Sequence, residues 1–320
     1  FVVTSVGIVC VIKFGLYGLY VSASVALMVI LTVNIKFFCK IKLAVDLKSI
    51  WEMIKTGAPL LLNSLVWTVM MSIDRFVILA YMTMFELGVY SVALLGFSTL
   101  IVIPQSIAQV FYIKMSQVYG ATKDVELLFE NVVKSTRVLS LISALISVAS
   151  YYILPIFIKI VMPKYSDGIV AAQILIIGVA LFSTTLLFSS ILNVMKLNIR
   201  LLISTGILCI LTFLFTIGSI KILGVHINSV AFGTSLAYFI YSFVLITITC
   251  KTFKKHVLKI LLITWLPVLF LLLPGILISI FISGIYFQIL SLAVLVALFV
   301  LIFYRKDVAS LIRGRKINAR

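Results

Sequence analysis

The stretch MMSIDRFVILAYM, residues 70–82, sets Asp74 beside Arg75 inside a long apolar run. An ionised side chain at hydrocarbon depth is costly, and by default it marks a cavity or the inside of a helix bundle. A carboxylate there could hold a cation or pair with a base. A guanidinium is the side chain best matched to phosphate oxygens. If the run is helical, Asn63, Trp67 and Asp74 fall near one face, and Ser64, Thr68 and Arg75 near the adjacent one. Together they make a wide polar sector that suits a water-accessible cavity. Arg75 has two readings, contact with a cavity or substrate and a structural ion pair. The next apolar run carries Ser91, Ser98, Gln105 and Tyr112 every seven residues, with Gln109 one turn from Gln105 and Pro104 beside them. Such a stripe either bonds helices to one another or lines a cavity.

Other chemistry is sparse. His226 and His256 are far apart and have no nearby carboxylate or cysteine, so they read as loop decoration. Cys10, Cys39, Cys209 and Cys250 lack metal or redox spacing. There is no Gly-rich phosphate loop, no His-Glu metal pattern and no Ser-His-Asp set with plausible reach. Asp and Glu number only nine. The side chains fit movement of a molecule better than chemistry on one, so neither enzymatic activity nor a cofactor is expected.

The elements that must position these residues follow from composition. The chain of 320 residues is 63% hydrophobic and 11% charged, with a mean hydropathy of +1.31. Soluble chains are about half apolar and about a quarter charged, so this one uses lipid as its solvent. A spanning helix needs ~20 apolar residues. About ten spans are expected: a partial one at 1–12, then 16–33, 57–80, 87–113, 138–160, 169–192, 201–222, 229–250, 261–282 and 285–304. The runs are too long and continuous for barrel strands. The fold class is therefore an all-α integral membrane protein.

Lysine and arginine set the orientation. Of 26 basic residues, 21 lie in alternate connections: 34–56, 114–137, the pair Lys196 and Arg200, the group from Lys251 to Lys259, and the tail from 305. By the positive-inside rule those connections and the C-terminus are cytoplasmic. The net charge of +17 is thereby explained without a nucleic-acid partner. Lys13, Lys159 and Lys221 sit at outer span ends, where they can snorkel. The two longest basic connections, 35–56 and 114–137, read as amphipathic helices on the inner surface or as plain linkers anchored by lysines.

Residues 13–29 resemble 221–239, and GAPLLL (57–62) matches WLPVLF (265–270) at an offset of about 208 to 210 residues. Six spans separate the copies, which makes the repeat parallel, as in transporters built of two halves. A span opening with Gly57-x-Pro59 and carrying IDRFVI (73–78) resembles the polysaccharide-unit flippases, the Wzx-like branch of the multidrug/oligosaccharidyl-lipid/polysaccharide exporter superfamily. ELGVYSVALL (86–95), IPQSIAQVFY (103–112) and PKYSDGIVAAQIL (163–175) are similar to that family as well. LGVHINSVAFGTSLAYFIYS (223–242) resembles its Gly-x-x-Gly-x-Ala turn, although Asn228 stands where a second glycine is usual.

The resemblance implies two six-helix bundles around a central cavity, with two further helices. Residues 1–33 would be the last two spans of the first bundle, 34–56 a cytoplasmic linker and 57–250 the second bundle. Residues 261–304 would be the two extra spans, and 305–320 a basic tail. The first four spans of the family fold are then expected upstream of Phe1. The implied substrate is an oligosaccharide unit on undecaprenyl diphosphate, moved across a bacterial cytoplasmic membrane for O-antigen, capsule or another surface polymer. Membrane lipid, a polysaccharide polymerase and a chain-length regulator are the implied partners. Asp74, Arg75, Asn63, Gln105 and Gln109 are the expected substrate-binding residues, with Arg75 on the diphosphate. Rival readings are a drug/cation antiporter or peptidoglycan-precursor flippase of the same superfamily, and a polymerase or acyltransferase of lipid-linked sugars. Asp74 keeps the cation exporter open; the short external connections weigh against the enzymes.

Overall fold

A computed structural model describes residues 16–38 and 46–281 of the chain, and every regular element in them is helical. The chain divides into two compact units, 1–55 and 56–320. Helix α1 (Leu16–Phe38) belongs to the first, and α2 (Leu47–Met70) runs from the first into the second. The second unit continues with α3 (Ile73–Tyr81), α4 (Met84–Thr122), α5 (Val125–Val161), a 3-10 turn (Pro163–Gly168), α6 (Ile169–Ser183) and α7 (Leu186–Val194). Helices α8 (Asn198–Leu223), α9 (Ile227–Thr252) and α10 (Val257–Phe281) complete it.

Seven stretches among the described residues are long and apolar enough to cross a membrane: Trp51–Tyr81, Met84–Thr122, Val125–Val161, Pro163–Val194, Asn198–Leu223, Ile227–Thr252 and Val257–Ile278. A shorter apolar helix, Tyr20–Thr32, lies within α1. The protein is an all-α integral membrane protein. The expected spans at 1–12 and 285–304 and the basic tail lie outside the described residues.

Helix α6 (IVAAQILIIGVALFS) is apolar on every side except at Gln173 and its terminal Ser183, and it is the buried axis of the second unit, packed by α4, α5 and α9. Helix α9 packs on both α6 and α8, and small residues allow the close approach. A Cβ at Gly233 of α9 would stand 2.5 Å from the Phe215 carbonyl oxygen and 2.6 Å from the Thr216 Cα of α8. The backbones touch there, and only glycine fits. Helix α10 lies on α5, where the Tyr152 hydroxyl donates to the Gly275 carbonyl.

Two spans are interrupted, where the sequence reads as continuous. The 57–80 span breaks at Met71–Ser72 and the 169–192 span at Thr184–Thr185. In both, the backbone tightens to i→i−3 bonds: Ser72 N–H to Val69 O at 2.9 Å, and Thr185 N–H to Phe182 O at 2.9 Å. Hydroxyls cause or stabilise the change by bonding carbonyls of the preceding turn, which bends helices. Ser72 bonds Thr68 O at 3.0 Å, Thr184 bonds Leu181 O at 2.7 Å and Thr185 bonds Phe182 O at 2.6 Å.

The 114–137 segment is neither a separate surface helix nor a linker. Residues 114–122 prolong α4 and 125–137 open α5, so two helices of 39 and 37 residues meet in a two-residue turn. At 1.5 Å per residue they are about 58 and 55 Å long, well beyond the ~30 Å of hydrocarbon. Lys123 in the left-handed region (φ 56°) ends α4, and Asp124 caps α5 by accepting from the Glu126 and Leu127 amides at 2.8 and 3.1 Å. A Glu126–Lys255 ion pair and the Phe129–Phe253 contact at 5.3 Å tie the hairpin to the turn after α9.

Candidate functional site

Asp74 and Arg75 both follow the break at Met71–Ser72 and, as neighbours on α3, point about 100° apart. The break puts Asp74 in the first turn of α3, where the helix dipole favours a carboxylate. The side chain points into the bundle and is 5% exposed. Oδ2 accepts from the Tyr90 hydroxyl of α4 at 2.6 Å, and Oδ1 accepts from the Thr234 hydroxyl of α9 at 2.7 Å. One carboxylate thus joins three helices. All three residues fall in stretches quoted above, IDRFVI, ELGVYSVALL and LGVHINSVAFGTSLAYFIYS, which the fold brings to one point.

An aromatic layer adjoins this cluster. The Phe97 and Tyr238 rings stack at 5.7 Å, Phe182 lies 5.1 Å from Tyr238, and Trp67 lies 5.4 Å from Phe182. Phe182 is next to the second helix break and Trp67 is next to the first, so the two interruptions meet across this layer.

Arg75, by contrast, is exposed, and it forms no ion pair or hydrogen bond among the described residues. The structural ion pair with a carboxylate that the sequence left open is not found there. Ser64, Thr68 and Ser72 precede Arg75 at helical spacing, but their hydroxyls are satisfied by the helix itself, at 3.1, 2.9 and 3.0 Å from the carbonyls four residues back. Gln105 and Gln109 of α4 are exposed, and their amides bond no described residue. Arg75, Gln105 and Gln109 therefore present polar groups that await a partner. Asn63 is half-buried, with its Oδ1 enclosed and unpartnered among the described residues.

The expected residues do not form one constellation. Tyr90 fixes the level of Asp74 against α4, and Gln105 lies fifteen residues further along that helix. At 1.5 Å per residue the separation is about 22 Å, most of the hydrocarbon thickness. Arg75 stands near one end of the span and the two glutamines toward the other. Asp74 belongs to neither group, because its face of the helix turns into the bundle, where hydroxyls enclose it. Tyr90 and Thr234 escape a reading by local spacing. The one hint is that a buried carboxylate needs donors, and both hydroxyl residues stand in the motifs that surround it.

The ends of the helices nearest Asp74 are closed by short caps. At the α3–α4 turn, the Thr83 hydroxyl accepts from the Glu86 amide at 3.3 Å while the Glu86 carboxylate accepts from the Thr83 amide at 2.8 Å, a capping box. Gly168 ends the 3-10 turn against α4, where a Cβ would meet the Val89 carbonyl oxygen at 2.8 Å.

A family model described as "Polysaccharide biosynthesis protein" matches residues 1–167, just over half of the chain. No curated protein and no solved structure matches.

Proposed function

Because the chain belongs to the polysaccharide biosynthesis protein family, we propose that it is a flippase. It moves oligosaccharide repeat units, carried on undecaprenyl diphosphate, from the inner to the outer leaflet of the bacterial cytoplasmic membrane. The observation that carries this reading is that Arg75, Gln105 and Gln109 are exposed on spanning helices and bond no described residue. A charge turned to lipid costs up to about 2.5–3.5 kcal/mol at a helix centre on insertion scales and less toward the ends, so such residues favour a wet surface. They are spread over about 22 Å of depth, as the walls of a path are and those of a compact catalytic pocket are not.

The cargo explains the residue types. Sugars and a diphosphate cannot cross hydrocarbon without compensation, since burying unpaired charge costs many kcal/mol. Arg75 offers a bidentate partner to phosphate oxygens. Gln105 and Gln109 each offer a donor and an acceptor to sugar hydroxyls. Interrupted helices at a central layer are a recurring feature of transporters, and α2–α3 and α6–α7 supply two. Asp74 supports the reading indirectly. A cation exporter would set its acid out in the cavity, whereas here both carboxylate oxygens are taken by hydroxyls. Asp74 acts as the positioning residue that holds the Arg75 end of α3 against α4 and α9.

The test is disruption of the gene in its native cell. Accumulation of complete lipid-linked repeat units on the inner leaflet, with loss of surface polymer, is the expected result. Unpolymerised units on the outer leaflet would point to a polymerase, and no change in surface polysaccharide would contradict the reading.

A further inference from the structure

At the basic end of α8 and α9 an open groove of about 490 Å³ is lined by Arg200, Ile203, Ile248, Lys251 and Thr252. Its polar rim is built. The Arg200 Nη1 donates to the Thr252 hydroxyl at 2.7 Å, and that hydroxyl donates in turn to the Ile248 carbonyl at 2.8 Å. The guanidinium is therefore held in place by a neutral partner, and its charge is not cancelled. The ion pairs among the described residues are Lys134–Glu130 and Lys255–Glu126, so neither Arg200 nor Lys251 has a carboxylate within bonding reach there. Lys196 and Lys254 occupy the adjoining turns, both in the left-handed region at φ 57° and 52°. Two positive charges, Arg200 and Lys251, thus line the opening, with Lys196 and Lys254 in the turns next to them in sequence, and the exposed Ile203 and the half-buried Ile248 continue it as an apolar floor toward the hydrocarbon.

A fixed fork of donors beside a second cation suits a phosphate, which takes two oxygens from an arginine and charge from a lysine. The apolar floor suits the first carbons of an acyl chain. We propose that this α8–α9 groove binds the phosphodiester headgroup of an anionic glycerophospholipid of the leaflet that the basic connections face. Basic pockets between spanning helices hold anionic headgroups in this manner. A zwitterionic lipid has the same phosphate, but its ammonium would meet Lys251, Lys196 and Lys254. The site does not depend on what the protein transports. It gives the lysine-rich turns a task beyond setting topology, which is to anchor the α8–α9 edge of the second unit to one class of lipid.

The purified full chain is exchanged into detergent containing equal phosphatidylglycerol and phosphatidylcholine, and co-isolated lipid is counted by native mass spectrometry. Phosphatidylglycerol is expected to be retained in preference. Lys251→Gln, which removes a side chain without an ion pair among the described residues, should lower that retention about fivefold, the worth of one basic residue near an anionic surface. Arg200→Gln combined with Lys251→Gln should abolish the preference, while Lys164→Gln on the opposite end leaves it intact. Equal retention in Lys251→Gln and the unmodified protein would overturn the proposal. So would retention of both lipids without preference, or displacement of phosphatidylglycerol by a polyprenyl phosphate that depends on the same two residues.

Discussion

The Thr234 hydroxyl reaches the Asp74 carboxylate across 160 residues of chain, at 2.7 Å. With the Tyr90 hydroxyl at 2.6 Å on the other oxygen, it makes Asp74 the point where α3, α4 and α9 are bound together. Removing the acceptor leaves two buried donors unmet, each costing about 1–3 kcal/mol. Asp74→Ala should lower the thermal midpoint of the purified protein sharply. Asp74→Asn combined with Thr234→Val should lose less than the sum of the single losses, because the two share one interaction. Strict additivity in that cycle would show that the contact carries no energy.

The α8–α9 crossing rests on Gly233, where a Cβ would lie 2.5 Å from the Phe215 carbonyl oxygen. Gly233→Ala must push two helices apart, and overpacking of this kind costs about 1–3 kcal/mol. The variant should unfold at a lower temperature and accumulate less in membranes. Gly206→Ala, at a site with open space around it, should match the unmodified protein.

Topology is tested by single cysteines at two exposed positions. Lys123→Cys, at the turn between α4 and α5, should resist an impermeant maleimide on intact cells and react after permeabilisation. Ser166→Cys, in the 3-10 turn at the other end, should react on intact cells. The positive-inside rule sets this sign, and reversed labelling would invert the whole orientation.

Much of this was legible in the sequence, and for a physical reason. Lipid demands long apolar helices, so the rough limits of most spans follow from hydropathy alone, as in Asn198–Leu223 against the expected 201–222, whereas the expected span at 16–33 holds only the shorter apolar helix Tyr20–Thr32. Helix interruptions are less legible. Ser72 and Thr184–Thr185 bend their spans by bonding backbone carbonyls, and hydroxyl residues do the same inside straight helices, as Thr212 does to Leu208 O at 2.9 Å. Across the break at Ser72 the burial pattern keeps its phase: Asn63, Trp67 and Asp74 stay on the inward face and Ser64, Thr68 and Arg75 on the exposed one, so spacing groups these residues correctly but does not tell that the Asp74 face is packed into the bundle. The ends of α4 and α5 were misjudged for a related reason. Charged residues such as Lys114 and Glu130 mark the edge of the membrane, not the end of a helix. Long-range partners such as Thr234 leave no local trace at all.

Arg75 lies six residues, or about 9 Å, before the end of α3 at Tyr81, close enough to that end of the span for an arginine to snorkel to the interface. Its two roles, diphosphate contact and headgroup anchor, give opposite results in one measurement: the amount and leaflet of lipid-linked repeat units in cells carrying Arg75→Ala, with membrane level of the protein as control. The flippase account predicts normal protein level, inner-leaflet accumulation of units and loss of surface polymer, with partial recovery in Arg75→Lys, which keeps the charge and loses the bidentate geometry. Normal export by Arg75→Ala would contradict it and leave Arg75 as an anchor to the membrane interface.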